Sequence, residues 1–419
     1  MRMKIQRPTY LAQLISGQHN GLIKIITGLR RCGKSYLLFT LYDDYLHGSG
    51  VDDNHIIKID MEDIRNRELR EPMNLINHID SKMVDENMYY ILLDEVQNVE
   101  DFEEVLNSYL KVKNADVYVT GSNSKFLSSD IVTAFRGRGD QIHMYPLSFS
   151  EYYSAVGGDK SEAWKNYFTY GGLPHVLQLD THQKKATYLT NLYETVYRKD
   201  MEEREKIGKI IEFDELVRIM ASSIGSPCNP TKLSNTFKSV GHNELSPQTI
   251  RTYIGYLENA FLIEQAERYD VKGKKYINNL SKFYMTDTGV RNAILDFRQQ
   301  EETHLMENII YNELRIRGFS VDVGVVEVKG KALDDKWYRK QYEVDFVANM
   351  GYQRYYIQSA LSIPDKEKLI QESNSFKNIP DDFKKIIIVK DNINPWYSED
   401  GILILGLFDF LLDPQSLNH

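Results

Sequence analysis

Residues 22–35 constrain the fold more than any other stretch of this chain. They read "LIKIITGLRRCGKS", an apolar run ending in Gly28-x-x-x-x-Gly33-Lys34-Ser35. A helical period follows, with Leu37, Leu38, Leu41 and Tyr45 expected on one face. Glycines at that spacing let backbone N–H groups curl around phosphate oxygens, and a helix start beside them favours negative charge. The order strand, glycine loop, helix is what such a loop requires. A glycine-containing turn that binds nothing is the alternative, and the flanking strand and helix argue against it. The loop residues Gly28, Arg31, Cys32, Gly33, Lys34, Ser35 and Tyr36 are therefore the expected contact to ATP. In it Lys34 would neutralise the terminal phosphates and Ser35 would hold Mg²⁺. Nothing around Cys32 suggests redox or nucleophilic chemistry.

The rest of residues 1–147 supports one parallel sheet. Apolar runs at 22–28, 55–60, 89–95, 116–121 and 140–147 alternate with helical periods, the signature of βαβ units. The run "YYILLDE" ends in Asp94 and Glu95. A carboxylate at the end of a buried strand can hold Mg²⁺ through water, and its neighbour can orient and deprotonate an attacking water. The run "DVYVTGSNS" ends in small polar residues. Ser122 or Asn123 reads either as a γ-phosphate sensor or as a cap of the next helix. Arg136 and Arg138 in "AFRGRGD" read either as an arginine finger or as a surface pair.

Composition narrows the class. The 419 residues are 42% hydrophobic and 26% charged, enough to bury cores in two or three domains. Net charge is −9 and the pI about 5.7, so no global basic field draws the chain to nucleic acid. Two cysteines, Cys32 and Cys228, exclude a disulfide framework. The N-terminal stretch has no signal-like apolar run, and no membrane span is visible. These features predict a cytoplasmic protein.

Residues 213–295 suit a winged helix-turn-helix. Asp214 is expected to cap a first helix that turns Leu216, Val217, Met220 and Ile224 inward. "NPTKLSNTFKSVG" is a short second helix, and "SPQTIRTYIGYLENAF" a third with Ser246 as cap and Pro247 at its first position. Gln248 and Arg251 face outward from it. A hairpin with Lys272, Lys274 and Lys275 at its tip follows. Such a surface reads DNA, or it is a packing and protein-contact domain with a solvated turn. Both readings stay open.

The stretch "YEVDFVANMGYQRYYIQSAL" resembles the catalytic hairpin of a metal-dependent nuclease. Asp345 and Gln358 stand where the acid and the Glu/Gln should be, and Glu343 shares a face with Asp345. The position of the expected lysine holds Ala360. Gln358 is a neutral, weaker metal ligand, and Ala360 supplies no charge. Lys366 and Lys368, on the next helix, are the nearest substitutes. An inactive nuclease-like fold, an active nuclease and an unrelated hairpin are the three readings, the first favoured.

The sequence resembles prokaryotic AAA-type ATPases that carry a C-terminal domain of unknown function. "IITGLRRCGKSYLL", "ILLDEVQNVEDFEEVL", "VYVTGSNSKFLS", "GRGDQIHMYPLSFSEY" and "YGGLPHVL" carry the resemblance, followed by "FYMTDTGVRNAIL" and "ENIIYNELRIRGFSVDVG". It implies an ATPase core at 1–147, a helical lid at 148–212 and the winged helix-turn-helix at 213–295. A restriction-endonuclease-like α/β domain would fill 296–419. It favours Arg138 as the finger, which implies a homo-oligomer. It also makes Glu307 the helix acid of the nuclease-like site.

Overall fold

The computed structural model describes residues 4–121, 137–239, 245–277, 280–331 and 337–419. Two compact units emerge. The first comprises Met1–Leu147, Leu173–Gln178 and Asn259–Phe261; the second comprises Ser148–Gly172, Leu179–Glu258 and Leu262–His419.

The first unit is built on the expected parallel sheet. Its strands are β1 (Ile23–Gly28), β2 (Ile56–Asp60), β3 (Tyr89–Asp94), β4 (Ala115–Thr120) and β5 (Gly139–Met144), in the order β2-β3-β4-β1-β5. Every pairing is parallel. β1 and β3 are buried along their whole length, as a sheet covered on both faces demands. Ile23, Ile25, Ile57, Ile59, Ile91 and Leu93 meet Leu75 and Ile79 of helix Pro72–Lys82 and Val105 and Leu106 of helix Phe102–Tyr109 in one core.

After the glycine loop, Lys34–Tyr36, a π-helical stretch Leu37–Tyr42 and Asp43–Gly48 run on without a break. The wider π turns shift the buried face by about one position. Tyr42 and Leu46 are buried with Leu37, Leu38 and Leu41, while Tyr45, expected inside, is half-buried.

In the second unit, helices Ile210–Ser222, Pro230–Ser239 and Pro247–Asn259 lead into an antiparallel pair, β6 (Ile263–Ala266) and β9 (Lys282–Met285). Leu216, Val217, Met220, Ile224, Ile250, Tyr253, Ile254 and Leu257 are all buried. Ser246 caps the third helix by accepting from the Thr249 amide at 3.0 Å. Asp214 does not cap the first helix, which starts at Ile210. It instead accepts both Nε and Nη2 of Arg198 at 2.8 Å, a bidentate pair stronger than a cap bond.

The hairpin strands β7 (Arg268–Asp270) and β8 (Lys275–Tyr276) join an eight-stranded sheet through a parallel pairing of β7 with β10 (Ser320–Lys331). That sheet continues through β11 (Trp337–Met350), β12 (Gln353–Ala360), β13 (Lys384–Val389), β15 (Leu403–Gly406) and β14 (Trp396–Tyr397). The stretch "TDTGVRNA" is a brace. Asp287 caps Thr288–Ile294 and accepts from the Gly172 amide, and Asn292 donates to the carbonyls of Phe168 and Thr169. No helix among the described residues is long and apolar enough to cross a membrane.

Candidate functional site

The glycine loop leaves β1 at its C-terminal end. Gly28 has φ 141°, and a Cβ there would stand 2.1 Å from the Met144 carbonyl, so β1 and β5 approach closely only because Gly28 has no side chain. Gly33 is left-handed at φ 106°, and Arg31 joins it at φ 69°. Arg31 is exposed, Tyr36 is half-buried, and Cys32 is buried with its thiol on the Met144 carbonyl at 3.4 Å. Burial pushes the Cys32 thiol up, away from the reactive thiolate. The Lys34 ammonium, only 4% exposed, donates to the carbonyls of Gly28 and Leu29 at 3.1 and 3.2 Å. It thus lies inside the curl of the loop.

Asp94 and Glu95 end β3 on the same edge of the sheet, and Ser35 hydrogen-bonds to Asp94. Burial pushes the Asp94 carboxyl up to about 6, and the negative neighbours Glu95 and Asp60 add to this, against hydrogen bonds from Thr120 and Ser35. A group held that way gains from a cation. Glu95 sits at φ 51°, ψ 48°, a conformation uncommon outside glycine. Its amide donates to the Thr120 hydroxyl at 3.0 Å, and Gln97 donates to its carboxylate. Thr120 also donates to Asp94. Ser35 and Asp94 are thus an oxygen donor set of the kind Mg²⁺ takes.

Three contributors to this site escape sequence reading. Thr120, the last residue of β4, ties both acids together. Arg7 is 2% exposed and donates to the carbonyls of Cys32, at 3.1 Å, and Tyr145, at 2.7 Å, pinning the loop to the strand behind it. Pro174 lies 3.7 Å from where a Gly33 Cβ would be. Only Thr120 had a local signal, its place at the end of a buried strand.

Arg138 is not brought to this edge. Its carbonyl accepts from the Ile23 amide at 3.0 Å, at the opposite end of β1 from Gly28. Five residues of strand, about 17 Å, separate those ends. Ser122, Asn123 and Arg136 lie outside the described residues.

A second group of carboxylates gathers in the second unit. Glu307, on helix Glu302–Ile316, accepts from the Tyr284 hydroxyl at 2.7 Å and from the Lys282 ammonium at 3.1 Å. Lys282 also pairs with Glu343 at 2.9 Å. Asp345 accepts from the Ser359 amide at 2.8 Å, and its own amide lies 3.5 Å from Gln358 Oε1. Burial and Glu307 raise the Asp345 carboxyl well above the usual carboxylate range, and Lys282 opposes them.

Ala360 is buried in an apolar cluster with Val344, Tyr356 and Val389. Lys366 and Lys368 do not supply the missing charge. Lys366 is 91% exposed and faces Glu399, and Lys368 pairs with Glu372 along its own helix. Lys366 carries its charge to water, and Lys368 spends its charge on a carboxylate of its own helix. The cation at the cluster is Lys282, from β9.

Gln248 and Arg251 are exposed on helix Pro247–Asn259. Lys272, Lys274 and Lys275 are exposed too. Their hairpin is the edge of the eight-stranded sheet, not a free wing.

Residues 20–153 match the family model of an AAA domain, and residues 161–301 match a domain of unknown function, DUF8612. An uncharacterized protein of Haemophilus influenzae is 32% identical over 417 residues, covering 97% of this chain and 98% of that protein. Uncharacterized protein MJ1544 of Methanocaldococcus jannaschii is 28% identical over 391 residues, covering 89% and 80%. Among solved structures, the Walker-type ATPase paby2304 of Pyrococcus abyssi matches at 14% identity and TM-score 0.49, covering 70% of this chain and 96% of that one. The chain belongs to one family with the Haemophilus influenzae protein, and its residues 20–153 form an AAA domain.

Proposed function

We propose that this chain binds Mg·ATP, hydrolyses it, and couples nucleotide state to a C-terminal module made of a winged helix-turn-helix and an inactive nuclease-like domain. The observation that carries the reading is the convergence of Lys34, Ser35, Asp94 and Glu95 at one edge of the parallel sheet.

On phosphate arrival the Lys34 ammonium exchanges loop carbonyls for β- and γ-oxygens. Ser35 and Asp94 would hold Mg²⁺, which would supply charge screening for the transferred phosphoryl group. Glu95, set by its left-handed backbone and the Thr120 hydroxyl, takes the proton of the attacking water. Arg138 lies too far away to reach the phosphates of its own chain, so as a finger it serves a neighbouring copy in a homo-oligomer.

Lys34→Ala should abolish the thermal stabilisation that ATP and Mg²⁺ give the parent protein. A variant that binds ATP as tightly as the parent removes the loop from the mechanism. Mixing Arg138→Ala with Lys34→Ala subunits should restore part of the ATPase activity, since each supplies what the other lacks. Full activity of a dilute monomer rules the neighbour out.

The alternative is an ATP-switched DNA-binding regulator with little turnover. Exposed Gln248 and Arg251 on one helix, with Lys272, Lys274 and Lys275 on a hairpin, favour it. Continuous ATP turnover separates a motor from a switch. A gel shift with duplex DNA at physiological salt, lost in Arg251→Ala, separates DNA from protein as the partner.

A further inference from the structure

The acidic cluster of the second unit already holds a cation, and that cation belongs to the chain. Lys282 is 4% exposed at its side chain, yet its ammonium lies 3.1 Å from Glu307 and 2.9 Å from Glu343. Arg268 lies 3.8 Å from the other carboxylate oxygen of Glu343. Glu307 is enclosed as well. Tyr284 donates to it, and a Cβ on Gly225 would meet its carboxylate at 2.9 Å.

The spacing fits an ammonium. Distances near 3 Å are those of N–H···O contacts, so both carboxylates are already engaged by the ammonium. With Lys282 in place, no three His, Cys, Asp or Glu side chains among the described residues are grouped so as to hold a metal ion.

The strand that delivers Lys282 is bolted in place. Asn308 of helix Glu302–Ile316 receives the Met285 amide and donates to the Met285 carbonyl, both at 2.7 Å. Asn312 donates to the carbonyls of Met285 and Thr286 at 3.0 and 3.1 Å. The ring of Tyr284 stacks on Tyr311 with centroids 4.2 Å apart.

We propose that Lys282 is the resident cation of this cluster: it stands where a hydrolytic site would hold a divalent metal, excludes that metal, and turns the carboxylates into a lock between the β6–β9 pair and the eight-stranded sheet. Carboxylates that would serve a metal in catalysis serve here to hold two parts of one unit together. The inference rests on the nuclease-like reading of this domain and on the geometry around Lys282, and it stands whether or not the ATPase mechanism above is correct.

The test is thermal denaturation of nucleotide-free full-length protein with and without millimolar Mn²⁺. The wild type should show no response that depends on Asp345. Lys282→Met should melt lower and regain several degrees with Mn²⁺, and Lys282→Met with Asp345→Asn should regain none. Lys282→Met with Glu343→Gln removes one carboxylate along with the lysine; it keeps the test available if the single variant does not fold, and the same Mn²⁺ response is expected of it. An Asp345-dependent Mn²⁺ response in the wild type overturns the proposal, because the cluster would then be a metal site despite the lysine. A folded Lys282→Met that ignores Mn²⁺ overturns it too, because something other than Lys282 would be keeping the metal out. If neither variant folds, the wild-type arm decides alone.

Discussion

Two buried lysines of this protein, Lys34 in the first unit and Lys282 in the second, differ in what they touch. Lys34 rests on two backbone carbonyls, while Asp94 close by is held by hydroxyls. Lys282 touches its carboxylates directly. A buried charge balanced by neutral dipoles keeps a strong pull on an incoming counter-charge. A buried charge paired within the chain has spent that pull on stability. On the readings proposed above, the first centre would receive a phosphate and a cation, and the second would receive neither. The presence of acids and a lysine therefore says little about activity until their pairing is known.

The sharpest way to break this comparison is to remove each lysine in turn. Lys282→Met should cost about 3–5 kcal/mol of stability, because it strands buried carboxylates. Lys34→Met should cost no more than about 1–2 kcal/mol, the scale of hydrogen bonds to carbonyls. Chemical denaturation of the two variants compares them directly, and equal losses would refute the distinction.

Next in size is Glu95→Gln, which should retain ATP but hydrolyse it at least ~10²-fold slower, the lower end for losing a general base. Unchanged steady-state turnover would remove Glu95 from the chemistry. Thr120→Val keeps the shape but deletes the hydroxyl shared by Asp94 and the Glu95 amide. We expect turnover to fall about 10-fold, equivalent to ~1.4 kcal/mol, with ATP affinity little changed. A pure loss of affinity would make Thr120 a binding residue instead.

The smallest effect sharpens the comparison from the side of a carboxylate without a lysine. Burial, with Glu264 nearby, pushes the Glu258 carboxyl up to about 7. Its value in the folded state lies above the ordinary one of about 4.3, so the native protein binds the extra proton. Stability from this group is complete at low pH and is lost as pH rises through about 4 to 7. Glu258→Gln should therefore melt higher than wild type near pH 8, by about 1 kcal/mol after allowing for solvent screening, and match it near pH 4. Identical pH profiles would show that Glu258 carries no such penalty.

The first unit was readable because its signals are local. Strand β1, the glycine loop and the following helical turns are contiguous, and β3 announces its end with Asp94 and Glu95. Buried parallel strands are mostly apolar, so β1, β3 and β4 stand out as runs, while β2 and β5 carry exposed polar residues and are weaker signals. The π turns at Leu37–Tyr42 were not readable, since a single wider turn alters the helical period by less than one residue. In the second unit the helix faces were legible from periodicity, but Asp214 was misread as a cap. Its partner Arg198 stands in a different helical segment, and no local pattern records that pairing.

Sequence by itself determined the parallel sheet, the place of the glycine loop between strand and helix, the acids at the end of β3 and the apolar faces of the helices. Each follows from residues within a few positions of one another, where backbone geometry ties spacing to direction. Tertiary structure alone decided which groups pair across the chain. Arg7 reaches the loop from 25 residues away, and Lys282 finds Glu307 across another 25. Arg138 ends on the far edge of the sheet, although the strand that follows it runs beside the loop strand. Such pairings depend on how whole elements pack. Packing is fixed by the sum of many apolar contacts, so it leaves no short motif behind in the sequence.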